Sequence, residues 1–354
     1  MQKFAYAKKC ITIITTIEVI VHQSNMEALL THFPFLSPQP MHIPDGFLSI
    51  LVSVIFWVLS IIMIGWALRK TSQTLGERQI PLMGIMAAAI FAGQMLNFSV
   101  TGGTSGHLLG AAVATIILGP WAAVLVMTSV VSVQALIFQD GGILALGANI
   151  FNMAVVGVFV SYAAYSVLMR LIGKHKWGTV VSGFMAAWAS IFIASLSCAL
   201  QLTISGTSPA NIVIPAMGAI HALIGVGEGV ITAGALGFVL SARKDLLQNV
   251  GNQNGISKGV LVGGFLLALV LAVLAPLASS HPDGLEWVAE QHGFLANARN
   301  AFYQIVPDYI LPGISNPALA TIAAGIIGVI IVFGVAWGMA RVSRTSRSEK
   351  TTQG

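Results

Sequence analysis

The feature that most narrows the fold is a series of long apolar runs almost free of charge. They cover residues 47–68, 81–98, 107–138, 143–169, 179–204, 212–240, 259–279 and 318–340. About 20 apolar helical residues cross the hydrocarbon core of a bilayer, so most of these runs are single spans. A membrane β-barrel alternates apolar and polar residues, and these runs do not. Composition agrees: 56% of the 354 residues are hydrophobic and only 8% are charged, against about 25% charged in soluble domains. That excludes an ordinary water-soluble enzyme and a disordered chain. The fold class expected is an all-α membrane protein.

The formal net charge is +5, from 17 basic and 12 acidic residues. Basic residues flank membrane spans on the cytoplasmic side, which explains the excess without nucleic acid. From residue 69 onward they gather at Arg69, Lys70 and Arg78, at Arg170, Lys174 and Lys176, at Arg243, Lys244 and Lys258, and at Arg341, Arg344, Arg347 and Lys350. These four clusters are read as cytoplasmic. The loops around Thr101, Asp140, Ser208 and 280–317 then lie on the outer side, as does the segment before the first span. The run 107–138 has both ends outside, so it crosses twice or dips in and returns. Gly119-Pro120 is the expected break, because proline removes a helix donor and glycine loosens the turn. Counting that run as two gives seven spans up to Leu240 and two more after it.

A polar, Gly/Asn-rich stretch at 242–258 reads as a cytoplasmic linker. It divides a core of about seven helices, 41–241, from a two-helix C-terminal module, 259–341, whose extracytoplasmic loop is 280–317. Residues 1–40 form an extension and 342–354 a basic cytoplasmic tail. Cys10 and Cys198 make neither a disulfide framework nor a zinc pattern.

Polar residues within or beside membrane spans are costly and are functional candidates by default. Three clusters stand out: Met41-His42-Ile-Pro-Asp45-Gly, Thr101-Gly-Gly-Thr-Ser105-Gly-His107, and His221-Ala-Leu-Ile-Gly-Val-Gly-Glu228. The segments MHIPDGFLS, TGGTSGHLLGA, GGILALGANIFNMAVVG and HALIGVGEG, in that order, resemble the substrate-binding membrane subunit of cobalt/nickel energy-coupling factor (ECF) transporters, the CbiM/NikM family. HPDGLEWVAE resembles the loop of the small accessory subunit (CbiN/NikN type, the PDGLE module), which some members carry fused.

The resemblance implies a metal site made by the amine of Met41, the backbone nitrogen and imidazole of His42, and the imidazole of His107. Donor chemistry agrees. An amine, the next amide nitrogen and that residue's imidazole close two small chelate rings, and a distant histidine fills the fourth equatorial place. Planar nitrogen coordination suits Ni(II) or Cu(II) and accommodates low-spin Co(II), whereas magnesium and calcium prefer oxygen. The donors must shed protons, so affinity should fall in acid. Co(2+) or Ni(2+) is the implied transported substrate, and the sequence does not choose between them.

Four further residues are candidates for the shell around the metal. His221 and Glu228, seven apart, lie on one helical face and either orient the site or hold helices together. Asp45 either caps the first helix or hydrogen-bonds a metal-bound imidazole. Ser105 belongs to the motif of His107. Asn97, Asn149 and Asn152 are expected to bridge helices. The glycines of 101–106 are expected to let that loop lie close over the inserted N-terminus. The Gly84, Ala88, Ala92 stripe either docks a coupling subunit or packs internally.

The forty residues before Met41 conflict with a free amine there. The favoured resolution is that Met41 is the true first residue. The others are a removed leader, since Lys3, Lys8 and Lys9 precede an apolar segment, or a persisting extension with an altered site.

The function implied is the substrate-capture component of an ATP-driven ECF-type importer in the cell inner membrane, with its metal site near the extracytoplasmic face. A coupling transmembrane subunit (CbiQ/NikQ type) and ATPase subunits (CbiO/NikO type) are the implied partners. The chain has no GxxxxGK[ST] phosphate loop, so the energy comes from them and the chain is not read as an enzyme. The alternatives are an intramembrane metalloenzyme built on His107, His221 and Glu228, which the absence of HExxH disfavours, and a passive divalent-metal channel. Asp283, Glu286, Glu290 and His292 in the loop 280–317 either help load metal or belong to a solvated loop.

Overall fold

The structure is a computed structural model that describes residues 42–74, 76, 79–173, 175–242 and 258–352. The extension 1–40, Met41 and most of the 242–258 linker lie outside the described residues. Ten helices and one small hairpin carry the described chain. In order they are α1 Ile50–Thr74, α2 Gln79–Gln94, β1 Phe98–Val100, β2 Thr104–Gly106, α3 Ala111–Leu118 and α4 Pro120–Ile137. Then come α5 Leu146–Ile172, α6 Lys176–Ile204, α7 Ala210–Ala242, α8 Lys258–Leu274, α9 Gly284–Gln291 and α10 Pro317–Thr352.

Among the described residues seven helices are long and apolar enough to cross a membrane: α1, α4, α5, α6, α7, α8 and α10. Helix α2 is shorter, at 16 residues. The 107–138 run breaks where Gly119 and Pro120 stand. Gly119 has φ 81° and Pro120 opens α4, a position where the missing N–H would have had no partner anyway. The arm before the break, α3, has eight residues. At about 1.5 Å per residue it spans roughly 12 Å, less than half the hydrocarbon thickness. It is a half-helix, and its Ala111, Ala112 and Ala114 are fully buried. Helix α5 contains a π-helical stretch, Phe151–Val156. There Asn152 donates to Gln201 Oε1 at 2.9 Å and accepts from Gln201 Nε2 and Ser197 Oγ, both at 2.7 Å, tying α5 to α6. This is the bridging role the sequence assigns to Asn152.

The two long helices of the C-terminal module pack against α2. A Cβ added at Gly84 would lie 2.8 Å from the Phe333 ring of α10, and one at Gly264 of α8 would lie 2.5 Å from Ile85. Close helix approach through small residues needs no polar glue. The Gly84 end of the small-residue stripe is therefore covered by the chain's own last helix, and the stripe is not a free docking surface.

The segments that the charge pattern places on one side of the membrane meet one another. Ser105 N donates to Pro282 O at 2.8 Å, and Arg299 N to Asp45 O at 2.7 Å. The Tyr309 hydroxyl donates to Asp140, and Thr207 Oγ1 donates to Phe47 O. The loops near 101, 140, 208 and 280–317 thus close over the segment that precedes α1.

Candidate metal centre

The segment 42–45 runs alongside the α4–α5 loop and is pinned there by backbone-directed bonds. Asn149 of α5 grips Ile43 from both sides: its Oδ1 accepts from Ile43 N at 3.0 Å and its Nδ2 donates to Ile43 O at 3.1 Å. Gly142 N donates to the same carbonyl at 2.9 Å. The segment fits because Gly141 and Gly142 lack side chains. A Cβ on Gly141 would fall 2.8 Å from His42 Cβ, and one on Gly142 only 2.0 Å from Asp45 Oδ1. The glycines expected to lie over the N-terminus were those of 101–106. Instead Gly102 and Gly103 form the exposed hairpin turn at positive φ, while Gly106 packs against Ile224. Asn149, expected to bridge helices, holds the N-terminal segment instead.

Asp45 takes neither role expected of it. Its two carboxylate oxygens accept from Ile143 N at 3.2 Å and Ala145 N at 3.1 Å, so it holds the α4–α5 loop just before α5 rather than capping α1. Loop amides without a secondary-structure partner donate to any suitably placed carboxylate, local or not. At α1 the cap is Ser49, whose Oγ accepts from Val52 N at 3.4 Å.

This anchoring places the His42 and His107 rings 5.8 Å apart, centroid to centroid, at 64°. His42 is buried, and its Nδ1 donates to Asp140 Oδ1 at 2.9 Å. Its Nε2 is buried without a hydrogen-bond partner among the described residues. His107 Nδ1 donates to Leu108 O at 3.0 Å. Each imidazole therefore has one nitrogen fixed by an acceptor, the usual arrangement for metal-ligating histidine. Burial, aided by the neighbouring His42 ring, pulls His107 down to about 4, so it is neutral near pH 7 and its lone pair is available to a cation. At His42 burial also works against the charge, but the Asp140 carboxylate outweighs it and the net displacement is upward.

Both rings line a cavity of about 80 Å³ together with Cys198, Met217, His221 and Asp283. His221 borders the cavity, its Nδ1 bonded to Met217 O at 2.9 Å. Asp283, from the C-terminal module, caps α9 by accepting from Glu286 N at 2.6 Å. Burial raises its carboxyl to about 8. Glu228 lies behind the site. Its oxygens accept from Leu109 N at 2.7 Å and Gly110 N at 3.0 Å, so it fixes the backbone that follows His107. These bonds tie α7 to the start of α3. The hydroxyl of Ser105 is turned to the C-terminal module. Its Oγ donates to His281 O at 2.8 Å and so joins the hairpin to the C-terminal module.

Glu228→Ala would strand two buried amides, at about 1–3 kcal/mol each. A fall in both melting temperature and bound metal is expected, with Glu228→Gln milder because one acceptor remains. A Glu228→Ala protein that melts and binds metal like wild type would contradict this role.

The family model described as cobalt uptake substrate-specific transmembrane region, CbiM, matches residues 42–246. The chain belongs to the CbiM family. A PDGLE domain matches residues 258–345, so this CbiM-family protein carries the accessory module on the same chain. A putative fused nickel transport protein, NikMN, of Archaeoglobus fulgidus is 37% identical over 86% of this chain and 100% of its own length. A cobalt transport protein, CbiM, of Sorangium cellulosum is 33% identical over 59% of this chain and 96% of its own. A crystal structure of a transition metal transporter is 31% identical, with a TM-score of 0.53, covering 61% of this chain and 100% of that one. The relatives are named as metal transport proteins and not as enzymes, and the CbiM-family chain is a multi-pass membrane protein of that kind.

In this CbiM-family protein no group of three or more His, Cys, Asp or Glu side chains suited to a metal occurs among the described residues. Met41 itself lies outside the described residues. Sequence reading missed the roles of Asp140 and Tyr309 and gave Asn149 a different one. Only the GGILALGAN motif, which begins right after Asp140 and contains Asn149, pointed near them.

Proposed function

We propose that the protein is the substrate-capture subunit of an ATP-driven ECF-type importer for divalent cobalt or nickel. The observation that supports this most directly is the convergence of two distant histidines, His42 and His107, in one buried cavity. The proposed donors are the Met41 amine, the His42 backbone and imidazole nitrogens, and the His107 imidazole. The site faces the extracytoplasmic side of the cell inner membrane. A CbiQ/NikQ-type coupling subunit and CbiO/NikO-type ATPases drive release inward, since the chain has no phosphate loop of its own.

Ring size fixes which His42 nitrogen a terminal chelate uses. Only Nδ1 lies close enough to its own amide to close a small ring, and Nδ1 is the nitrogen that Asp140 holds. Metal entry on this reading replaces that hydrogen bond. The unpartnered Nε2 of His42 favours a second reading, in which both histidines bind by Nε2 and Asp140 remains behind the ring. Blocking the terminal amine separates the two. The chelate predicts that acetylated Met41, or a chain with residues before it, loses nickel affinity by more than about 100-fold, because even outer-shell partners are worth about 10–100-fold. Undiminished binding would favour Nε2 coordination. The chelate also requires N-terminal sequencing of the natural protein to begin at Met41, and a mature chain that starts at residue 1 would refute it.

A further inference from the structure

Tyr309 lies in the loop of the C-terminal module, yet it reaches the metal centre of the core. Its side chain is fully buried and stacks on Phe138, with ring centroids 4.9 Å apart and planes 13° apart. Its hydroxyl donates to Asp140 Oδ2, and the other oxygen of that carboxylate accepts from His42 Nδ1 at 2.9 Å. The backbone that delivers it is unusual. Asp308 and Tyr309 both have positive φ, 53° and 58°, which costs a non-glycine residue about 1–3 kcal/mol. The strained turn is held by Val306 N bonded to Ile137 O and Asp308 N bonded to Phe138 O, both at 3.1 Å. These bonds lock the turn to the end of α4, directly before Asp140.

We infer that Tyr309 is a positioning residue for metal capture, aiming the Asp140 carboxylate that in turn sets the His42 imidazole. A carboxylate with one oxygen anchored has the direction of the other fixed. A fixed carboxylate keeps the imidazole oriented and places negative charge beside an arriving dication. The inference rests on the second reading above, in which His42 binds through Nε2 and its Nδ1 keeps the hydrogen bond to Asp140.

The test uses mature protein purified from the membrane, loaded with Ni(II). Tyr309→Phe keeps the stacked ring and removes only the hydroxyl. It is expected to weaken Ni(II) binding by about 10-fold and to shift the ligand-field absorption. Asp140→Asn should do the same, and the double variant should lose no more than the larger single loss, because the two residues act in series. A tyrosine that merely fills space would lower the melting temperature while leaving affinity and absorption unchanged, and that result overturns the inference. Additive losses overturn it too. Asp140→Asn carries the test alone if Tyr309→Phe fails to fold, and an unaltered band there is equally fatal. His107→Ala separates this from failure of the site itself. Metal kept by His107→Ala sinks the ligand assignment, whereas metal lost there beside wild-type behaviour of Tyr309→Phe sinks only the role of Tyr309.

Discussion

Replacing His107 with alanine is expected to strip nickel or cobalt from the purified protein and leave the fold in place. His107 is the proposed donor that comes from outside the N-terminal segment, so nothing else in the chelate substitutes for it. Loss of an outer-shell partner already costs about 10–100-fold, and loss of a ligand should exceed about 100-fold. The fold should survive because the side chain's hydrogen bond is local, to Leu108 O. The surrounding backbone is held independently by Glu228 at Leu109 and Gly110 and by Ser105 against the C-terminal module. His221→Ala is the comparison. Its ring lines the same cavity but is outside the proposed donor set, so its loss should be smaller. The measurement is metal content after exhaustive dialysis, with melting temperature read in parallel. Unchanged metal in His107→Ala would end the ligand assignment.

The helices were legible because each property that makes them is local. An unbroken apolar run needs no partner to be recognised, and Gly119-Pro120 breaks a helix for reasons contained in two residues. The half-helix α3 shows the limit of that logic: its shortness was visible, but its burial among other helices depends on what surrounds it. The candidate site divides along the same line. His42 and His107 stood out as polar residues beside apolar spans. Asp45 was read as a cap because it precedes a helix in sequence, yet the amides it accepts from lie in the loop before α5, a hundred residues on. Asp140 and Tyr309 carried no sequence signal for the roles they take. One is a lone acid in an outer loop and the other a tyrosine in a long connection, and they acquire meaning only when the strained turn at 308–309 brings them together. Glu228 was ambiguous for the same reason, since a buried carboxylate declares its role only through the amides it accepts from.

Gly142→Ala should abolish metal binding as fully as His107→Ala, by a different route. The added methyl would lie 2.0 Å from Asp45 Oδ1 and 2.2 Å from Asp45 N, far inside contact distance. Asp45 has no room to retreat. Its carboxylate is tied to Ile143 and Ala145, and its carbonyl accepts from Arg299 N at 2.7 Å. The strain is therefore relieved by lifting the 42–45 segment from the α4–α5 loop, which breaks the grip of Asn149 on Ile43 and moves His42 away from His107. Overpacking of this kind costs about 1–3 kcal/mol, so melting temperature should fall together with metal content, whereas His107→Ala should lower metal content alone. Limited proteolysis should cut Gly142→Ala protein near residues 42–46 faster than wild type. Wild-type metal affinity in Gly142→Ala would mean that the N-terminal segment does not need this close approach to present its histidine, because a displaced His42 has no second path to the ring it must face.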